Sequence, residues 1–285
     1  MEENCVLGVK SSIKGYKWLY RSKNEFDLKG IERKTDIPDM LTKILLSRGV
    51  KFGDIDKFLY PTLANSLPDP SLLKDMDLAS QLTVDAIIKN KNITILGDYD
   101  VDGATSSSIL YKYLELVYKK PEIYIPDRIK EGYGPNINAI NSIYESGSDL
   151  LITVDCGISS YEALDFAFKK GLKVIVLDHH QVEDKLPKAN AIVNPKRIDD
   201  YSGTDMLAAV GVTFLLIVAI NRELRNLGYF KNKVKEPNIK KLLDIVALGT
   251  VCDLVPLQGV NRLFVNHGLK ILKQNNNTGI SALIE

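Results

Sequence analysis

The sequence is poor in cysteine, in charge of one sign and in long apolar runs. Its three cysteines, Cys5, Cys156 and Cys252, include no CxxC pair, which argues against a disulfide framework or a structural zinc site. With 37 Lys+Arg against 36 Asp+Glu, the net charge of +1 indicates no global attraction to nucleic acid or anionic membranes. The longest uncharged apolar run, from Met206 to Ile220, is shorter than the roughly 20 residues that span a bilayer. We therefore expect a cytoplasmic protein, with a buried helix at that run.

Short apolar runs indicate the fold class. Of the 285 residues, 45% are hydrophobic, enough for a sizeable core. From residue 91, runs rich in Ile, Val and Leu alternate with segments of helical period, which is typical of buried parallel strands in an α/β sheet. The sequence therefore predicts a parallel sheet flanked by helices, with a mainly helical C-terminal third. The predicted strands are Ile93–Leu96, Ile123–Ile125, Leu150–Val154, Val174–Leu177 and Ala191–Val193, and the predicted helices are 104–118, 136–146, 160–170, 205–227 and 238–249.

Acidic residues follow three of the predicted strands. Asp98, Asp100 and Asp102 come after the first strand, Asp155 after the third and Asp178 after the fourth. Because ligands of open parallel sheets bind beyond the carboxyl ends of the strands, we expect these side chains to converge. At a spacing of two, an extended backbone would aim the first three carboxylates to one side, where a cation would offset their repulsion.

Two other interpretations of the first acidic group involve no catalytic metal. Asp-x-Asp-x-Asp-Gly also opens a calcium-binding EF-hand loop. That loop needs Glu at its twelfth position, which here is Ile109, and a preceding helix instead of a strand. A solvated acidic turn is the second interpretation.

Two of the three histidines are adjacent, in Asp178-His179-His180 at a predicted strand end. A histidine pair behind a carboxylate is a candidate for metal binding or acid–base chemistry, whereas a lone histidine is usually an ordinary surface or core residue. Oxygen ligands dominate with one or two imidazoles, which suits Mn²⁺ or Mg²⁺. Two ions bridged by a shared carboxylate would accommodate the whole set.

Four motifs together resemble those of the DHH family of phosphoesterases. They are GDYDVDG at 97–103, VDCG at 154–157, LDHH at 177–180 and LGTVCDLVPL at 248–257. Within that family, PDRIKEGYGPN at 126–136, LAAVGVTFLL at 207–216 and VALGTVCDLVPLQGVNR at 246–262 are similar to segments of the RecJ exonucleases. The resemblance spans roughly residues 60 to 285 and implies a Rossmann-like catalytic domain.

The resemblance also implies site residues. The implied ligands of two Mn²⁺ or Mg²⁺ ions are Asp98, Asp100, Asp102, Asp155, His179 and Asp253. His180 would stand beside the scissile phosphate as a catalytic residue, and Asp178 would act with it by orienting the histidines. Without the resemblance, Asp253 would be an ordinary residue at the end of an apolar helix. Cys156 and Cys252 are more simply small residues at tight strand or helix ends.

The implied activity is metal-dependent hydrolysis of single-stranded DNA from its 5′ end, as used in DNA repair and recombination. Two alternatives stay open: a DHH phosphodiesterase of short oligonucleotides or cyclic dinucleotides, and a catalytically silent nucleic-acid-binding scaffold. The stretch LGTVCDLVPLQGVNR at 248–262 argues against the first alternative, and the complete ligand set argues against the second.

Nucleic-acid contacts are expected from several regions. Arg128, Tyr133 and Gly134, on the loop beside the site, are candidates to grip a phosphate or the terminal nucleotide, and Arg262 completes this set. Residues 10–23 carry five basic and three aromatic side chains without an acid, which fits either a base-stacking surface or one face of a packed strand.

The sequence suggests three segments. Residues 1–80 form an N-terminal segment without visible chemistry, 81–260 the DHH catalytic domain, and 261–285 the start of a linker. The RecJ resemblance implies further DHH-associated and oligonucleotide-binding domains beyond that linker, so we expect this chain to be a catalytic core.

Overall fold

The computed structural model describes residues 5–19, 37–231 and 234–285. The chain divides into two compact units, Met1–Thr62 and Leu63–Glu285. Within the described ranges, no helix is long and apolar enough to cross a membrane.

The first unit is built from short elements. An antiparallel bridge joins Cys5 to Leu19, and a 3-10 turn (Val6–Gly8) lies between them. Helix α1 (Asp39–Ser47) and, after a 3-10 turn, helix α2 (Ile55–Leu59) follow.

The aromatic and basic segment at 10–23 lies partly in this unit. The side chains of Tyr16 and Trp18 are 68% and 49% exposed. Tyr20, Arg21 and Lys23 lie outside the described residues. The stacking interpretation of this segment stays a prediction.

A five-stranded parallel sheet forms the centre of the second unit, in the order β2-β1-β3-β4-β5. The strands are β1 (Ile93–Gly97), β2 (Glu122–Tyr124), β3 (Leu150–Val154), β4 (Lys173–Leu177) and β5 (Ala191–Val193). Each predicted strand is confirmed to within one residue at either end. The central strands are buried on both faces, which explains why they appear in the sequence as continuous apolar runs.

Nine α-helices surround this sheet within the described part of the second unit. They are α3 (Leu63–Ser66), α4 (Met76–Ile88), α5 (Val101–Val117), α6 (Ile137–Glu145), α7 (Tyr161–Lys169), α8 (Ala209–Asn226), α9 (Leu243–Cys252), α10 (Gly259–Leu272) and α11 (Thr278–Ile284). The mainly helical C-terminal third is confirmed, and the apolar run from Met206 to Ile220 lies mostly in the buried part of α8. The Asn136 side chain accepts a hydrogen bond from the Ala139 amide at 2.8 Å and so caps the N-terminus of α6.

Helix α5 begins earlier than the sequence predicts. It starts at Val101 and not at residue 104, because the Asp100 carboxylate accepts a hydrogen bond from the Gly103 amide at 2.9 Å and caps the first turn. The extended conformation predicted for the acidic residues therefore ends at Asp100, and the predicted helix start is wrong.

The sheet has a different helix layer on each face. Leu96, Leu151 and Val174 pack with α6 and α7, whereas Ile95 and Ile152 pack with α4, α5 and α8. Each buried Leu, Ile or Val side chain contributes about 1.5–3 kcal/mol to stability. The alternation of faces along a strand therefore fixes the register and, with it, the positions of the residues that follow each strand.

Helix α9 packs closely on α5 through a glycine. A Cβ atom on Gly249 would lie only 2.2 Å from Oγ1 of Thr105. This close approach carries the end of α9, where Asp253 lies, toward the first turn of α5.

Candidate metal centre

The register of the sheet brings the residues after the strands into line. Gly97, Val154 and Leu177 pair across β1, β3 and β4, and the next residue of each strand is an aspartate. The Asp98 amide donates to the Val154 carbonyl at 3.3 Å, and the Asp155 amide donates to the Leu177 carbonyl at 2.9 Å. The predicted convergence of these acidic side chains at one edge of the sheet is confirmed.

Asp155 lies at the middle of this edge in a strained backbone conformation. Its φ of 60° is in the left-handed region, which costs a non-glycine residue about 1–3 kcal/mol. Both carboxylate oxygens are buried, and neither has a hydrogen-bond partner in the part of the chain that the structure describes. Buried oxygens of this kind need a cation or a proton.

Asp102 departs from the predicted arrangement. We expected an extended backbone to carry Asp98, Asp100 and Asp102 to one side, and this is wrong because Asp102 lies in the first turn of α5. Its carboxylate accepts hydrogen bonds from the amides of Ala209 and Val210, at 2.6 and 2.9 Å, and so stabilises the start of α8. It still reaches the centre, but from the helix layer.

His179 lies between Asp155 at the sheet edge and the two acids from the helix layer, Asp102 and Asp253. Its Nε2 atom lies 3.3 Å from Asp155 Oδ1 and 3.7 Å from both Asp102 Oδ2 and Asp253 Oδ2. The side chain is 8% exposed. Burial lowers the pKa of His179 to about 4, so the imidazole is neutral and able to act as a metal ligand.

Three overlapping sets of side chains offer metal-ligand atoms within 4.8 Å of one another. Asp155 and His179 each belong to two of them. The sets are Asp98-Asp100-Asp155, Asp155-His179-His180 and Asp102-His179-Asp253. All six residues expected as ligands are therefore brought together, and Asp155 is the carboxylate placed to be shared.

Several carboxyl groups of the cluster have raised pKa values. Burial, with the nearby charges of Asp102 and Asp100, raises the pKa of Asp155 to about 11. Burial likewise raises the pKa of Asp102 to about 7 and raises those of Asp98 and Asp253. Carboxylate oxygens of Asp98, Asp155 and Asp253 have no hydrogen-bond partner among the described residues, and such oxygens fit a hard divalent cation such as Mn²⁺ or Mg²⁺.

These pKa values predict an unusual pH dependence for the metal-free protein. The pKa values of Asp155 and Asp102 lie above the ~4 of an unfolded chain, so the folded state binds more protons and loses stability as the pH rises from about 4 toward 7. The lowered pKa of His179 opposes this with a single proton. We expect the chelated protein to melt at a higher temperature at about pH 5 than at about pH 7.5. Excess Mn²⁺ should reverse that order, and a melting temperature that rises with pH under chelation would contradict the raised carboxylate pKa values.

Asp178 orients His180. The Asp178 carboxylate is fully buried and accepts hydrogen bonds from the Ile158 amide at 3.0 Å and from His180 Nδ1 at 2.8 Å. Burial alone would raise the pKa of Asp178, but these contacts hold it below its ordinary value, and the same bond raises the pKa of His180. Asp178 therefore positions His180, whose side chain is 46% exposed and keeps Nε2 available.

The four residues expected to contact nucleic acid differ in how close they lie to the centre and in how exposed they are. The Tyr133 hydroxyl donates to the Asp155 carbonyl at 2.9 Å, and the Arg128 guanidinium lies 5.1 Å from the Tyr99 ring centre, so both residues adjoin the centre. Gly134 is buried with a φ of 72°, against Cys156 and Ser160, and shapes the loop instead of offering surface. Arg262 is half-buried near the start of α10.

The positions of Cys156 and Cys252 agree with their interpretation as small residues at the ends of a strand and a helix. Cys156 is fully buried, with Sγ 3.4 Å from the Val154 carbonyl, and burial raises the pKa of its thiol. Cys252 is exposed at the end of α9.

Sequence reasoning missed Asn194. It follows β5 in the same register position as Asp155 and Asp178 in the neighbouring strands, and it is fully buried. Its side chain donates to the His180 carbonyl at 3.0 Å. The signal was present in the sequence, because a polar residue directly follows the fifth apolar run.

The chain resembles proteins of known function in sequence. Residues 92–250 match the family model of the DHH family, N-terminal domain. The chain is 36% identical over 269 residues to the single-stranded-DNA-specific exonuclease RecJ of Bacillus subtilis (strain 168), covering 94% of this chain and 32% of that protein. It is 35% identical over 253 residues to the protein of the same name from Escherichia coli (strain K12), covering 88% of this chain and 43% of that protein. The chain thus spans less than half the length of these relatives.

Solved structures show the same fold. RecJ from Thermus thermophilus in complex with Mn²⁺ matches with a TM-score of 0.71 and 28% identity, over 90% of this chain and 35% of that chain. An exonuclease RecJ bound to manganese matches with a TM-score of 0.64 and 32% identity, over 74% of this chain and 51% of that chain. The predicted fold class is confirmed.

Proposed function

This chain belongs to the DHH family, and from that premise we propose that it is a metal-dependent phosphodiesterase that hydrolyses single-stranded DNA from the 5′ end. The observation that carries the proposal is the buried carboxylate of Asp155, which belongs to two of the three ligand sets and lies beside the exposed His180. The similarity to single-stranded-DNA-specific exonucleases supports the choice of substrate, and we propose that the protein acts in the cytoplasm.

The proposed ligands of two Mn²⁺ or Mg²⁺ ions are Asp98, Asp100, Asp102, Asp155, His179 and Asp253. Ions held by these residues would supply positive charge for polarising a phosphodiester and for activating a water. The solved relatives that bind manganese support this choice of metal.

The protein's own side chains perform the remaining steps. With Nδ1 bound to Asp178, His180 keeps Nε2 out of that bond, on a side chain that is 46% exposed. Asp178 favours the protonated imidazole, so His180 can donate a proton to the leaving oxygen of the scissile phosphate. Tyr133 and Arg128 adjoin this position and would hold the terminal nucleotide.

The proposal is tested by digesting single strands labelled at either end, together with the matching duplex. After thorough chelation we expect no cleavage, and added Mn²⁺ or Mg²⁺ should restore the release of nucleotides from the 5′ end of single strands. Undiminished cleavage in chelator would contradict the metal requirement. Preference for a cyclic dinucleotide or for dimers and trimers would instead favour the small-substrate alternative, and binding without cleavage would favour the silent scaffold.

A further inference from the structure

A lysine lies beside the proposed metal centre on the segment that follows β5. Asn194, the residue aligned with Asp155 and Asp178, uses both ends of its side chain there. Its Nδ2 donates to the His180 carbonyl at 3.0 Å, and its Oδ1 accepts the Lys196 amide at 2.8 Å. One buried side chain therefore fixes the backbones of His180 and Lys196 relative to each other.

The neighbouring Arg197 anchors the same segment. Its guanidinium binds Asp75 at 2.7 Å and Asp199 at 2.8 Å, and it also donates to the Ile192 carbonyl. With a side-chain exposure of 6%, Arg197 has a structural role. The backbone that carries Lys196 is thus held on both sides.

Lys196 itself is half-buried and, unlike Arg197, does not anchor the segment through its side chain. Its ammonium makes no ion pair or hydrogen bond in the described parts of the chain. The Asn194 side chain holds the backbone of Lys196 next to that of His180, so the lysine lies beside the proposed centre. Burial raises the pKa of Asp253, and the positive charge of Lys196 opposes that rise. A lysine near a cluster of carboxylates, yet paired with none of them, is available to an anion that enters the cluster.

We propose that Lys196 binds a non-bridging oxygen of a phosphate in the bound strand, on the side of the centre where His180 lies. The inference rests on the proposed function, because the phosphate belongs to that substrate. A lysine ammonium suits the task, since it is a mobile point charge that follows a phosphate without fixing one geometry. It would also offset the negative charge that Asp253 presents to the incoming strand.

The test is the salt dependence of binding to a short fluorescent single strand, with Ca²⁺ present and strand integrity checked on a gel. The variants are Lys196→Met, which keeps the aliphatic stem, and Lys196→Arg, which keeps the charge. Lys173→Met is the matched control, because Lys173 is exposed at the opposite end of the neighbouring strand β4. Thermal unfolding and Mn²⁺ titration of each variant accompany the binding curves.

We expect Lys196→Met to bind the strand about tenfold more weakly. The slope of log K against log salt should become shallower by about 0.7, the value of one phosphate contact on a single strand. Lys196→Arg should keep most of the affinity, and Lys173→Met should behave as the wild type. If Lys196→Met matches the wild type in affinity and slope, or only tightens Mn²⁺ binding, the assignment is overturned. A wild-type chain that neither binds nor cleaves single strands overturns the proposed function and this inference together, whereas normal wild-type activity isolates Lys196.

Discussion

Replacing Asp155 by Asn should lower hydrolysis by at least about a thousandfold, which corresponds to about 4 kcal/mol of transition-state stabilisation. Asp155 belongs to two of the three ligand sets, so its loss disturbs the whole cluster and not a single contact. The variant should also lose the rise in melting temperature that Mn²⁺ gives the wild type. In chelator it should be at least as stable as the wild type, because one of several mutually repelling carboxylates has been removed.

The matched control for this prediction is Asp149→Asn. Asp149 precedes the same strand β3 at the opposite edge of the sheet, where its carboxylate binds Lys91 and the Asn92 amide. That variant should lose no more than about 1–3 kcal/mol of stability and keep its metal response and hydrolysis. An Asp155→Asn protein that still melts later with Mn²⁺, or cleaves at a near-normal rate, would remove Asp155 from the centre.

Replacing each of the two adjacent histidines by Ala should have different effects on metal binding and on hydrolysis. His179→Ala removes the nitrogen that lies among Asp102, Asp155 and Asp253, so metal binding should weaken strongly and hydrolysis should be lost with it. His180→Ala should lower turnover by about 10²–10⁴-fold, the usual size of an acid–base contribution, while the metal-induced stabilisation remains.

Calorimetric titration with Mn²⁺, beside rates at saturating substrate, separates these outcomes. His180→Gln is a useful second variant, because an amide can occupy the space beside Tyr133 without carrying a proton for the leaving oxygen. If Mn²⁺ binding disappears in His180→Ala as well, His180 belongs among the ligands, as its place in the set with Asp155 and His179 would allow.

The sheet and the convergence of its acidic residues were predictable because both are local properties. Each strand is a short run of branched and apolar residues, and the residue after it must lie at the sheet edge. Asp98, Asp155 and Asp178 follow directly from that reasoning. The same reasoning, applied to the fifth strand, would have found Asn194.

Other parts of the centre depend on contacts that no local pattern encodes. Asp102 was misplaced because the cap formed by Asp100 starts α5 three residues earlier than expected. Asp253 reaches the centre only through the packing of α9 on α5, and the motif resemblance alone suggested it. Lys196 has no signal in the sequence, since only the hydrogen bonds of Asn194 place it beside His180.

The close packing at Gly249 has a mechanical consequence. It presents Asp253, from the end of α9, to side chains at the sheet edge that come from a distant part of the chain. An ion held by Asp253 together with Asp155 or Asp102 would act as a cross-link that closes this long loop, and the entropy of loop closure would then oppose opening of the helix layer. Unlike a disulfide, the link is reversible. Amide hydrogens in α9 and α10 would therefore exchange slowly in the loaded protein and faster after chelation, even though every covalent bond remains in place.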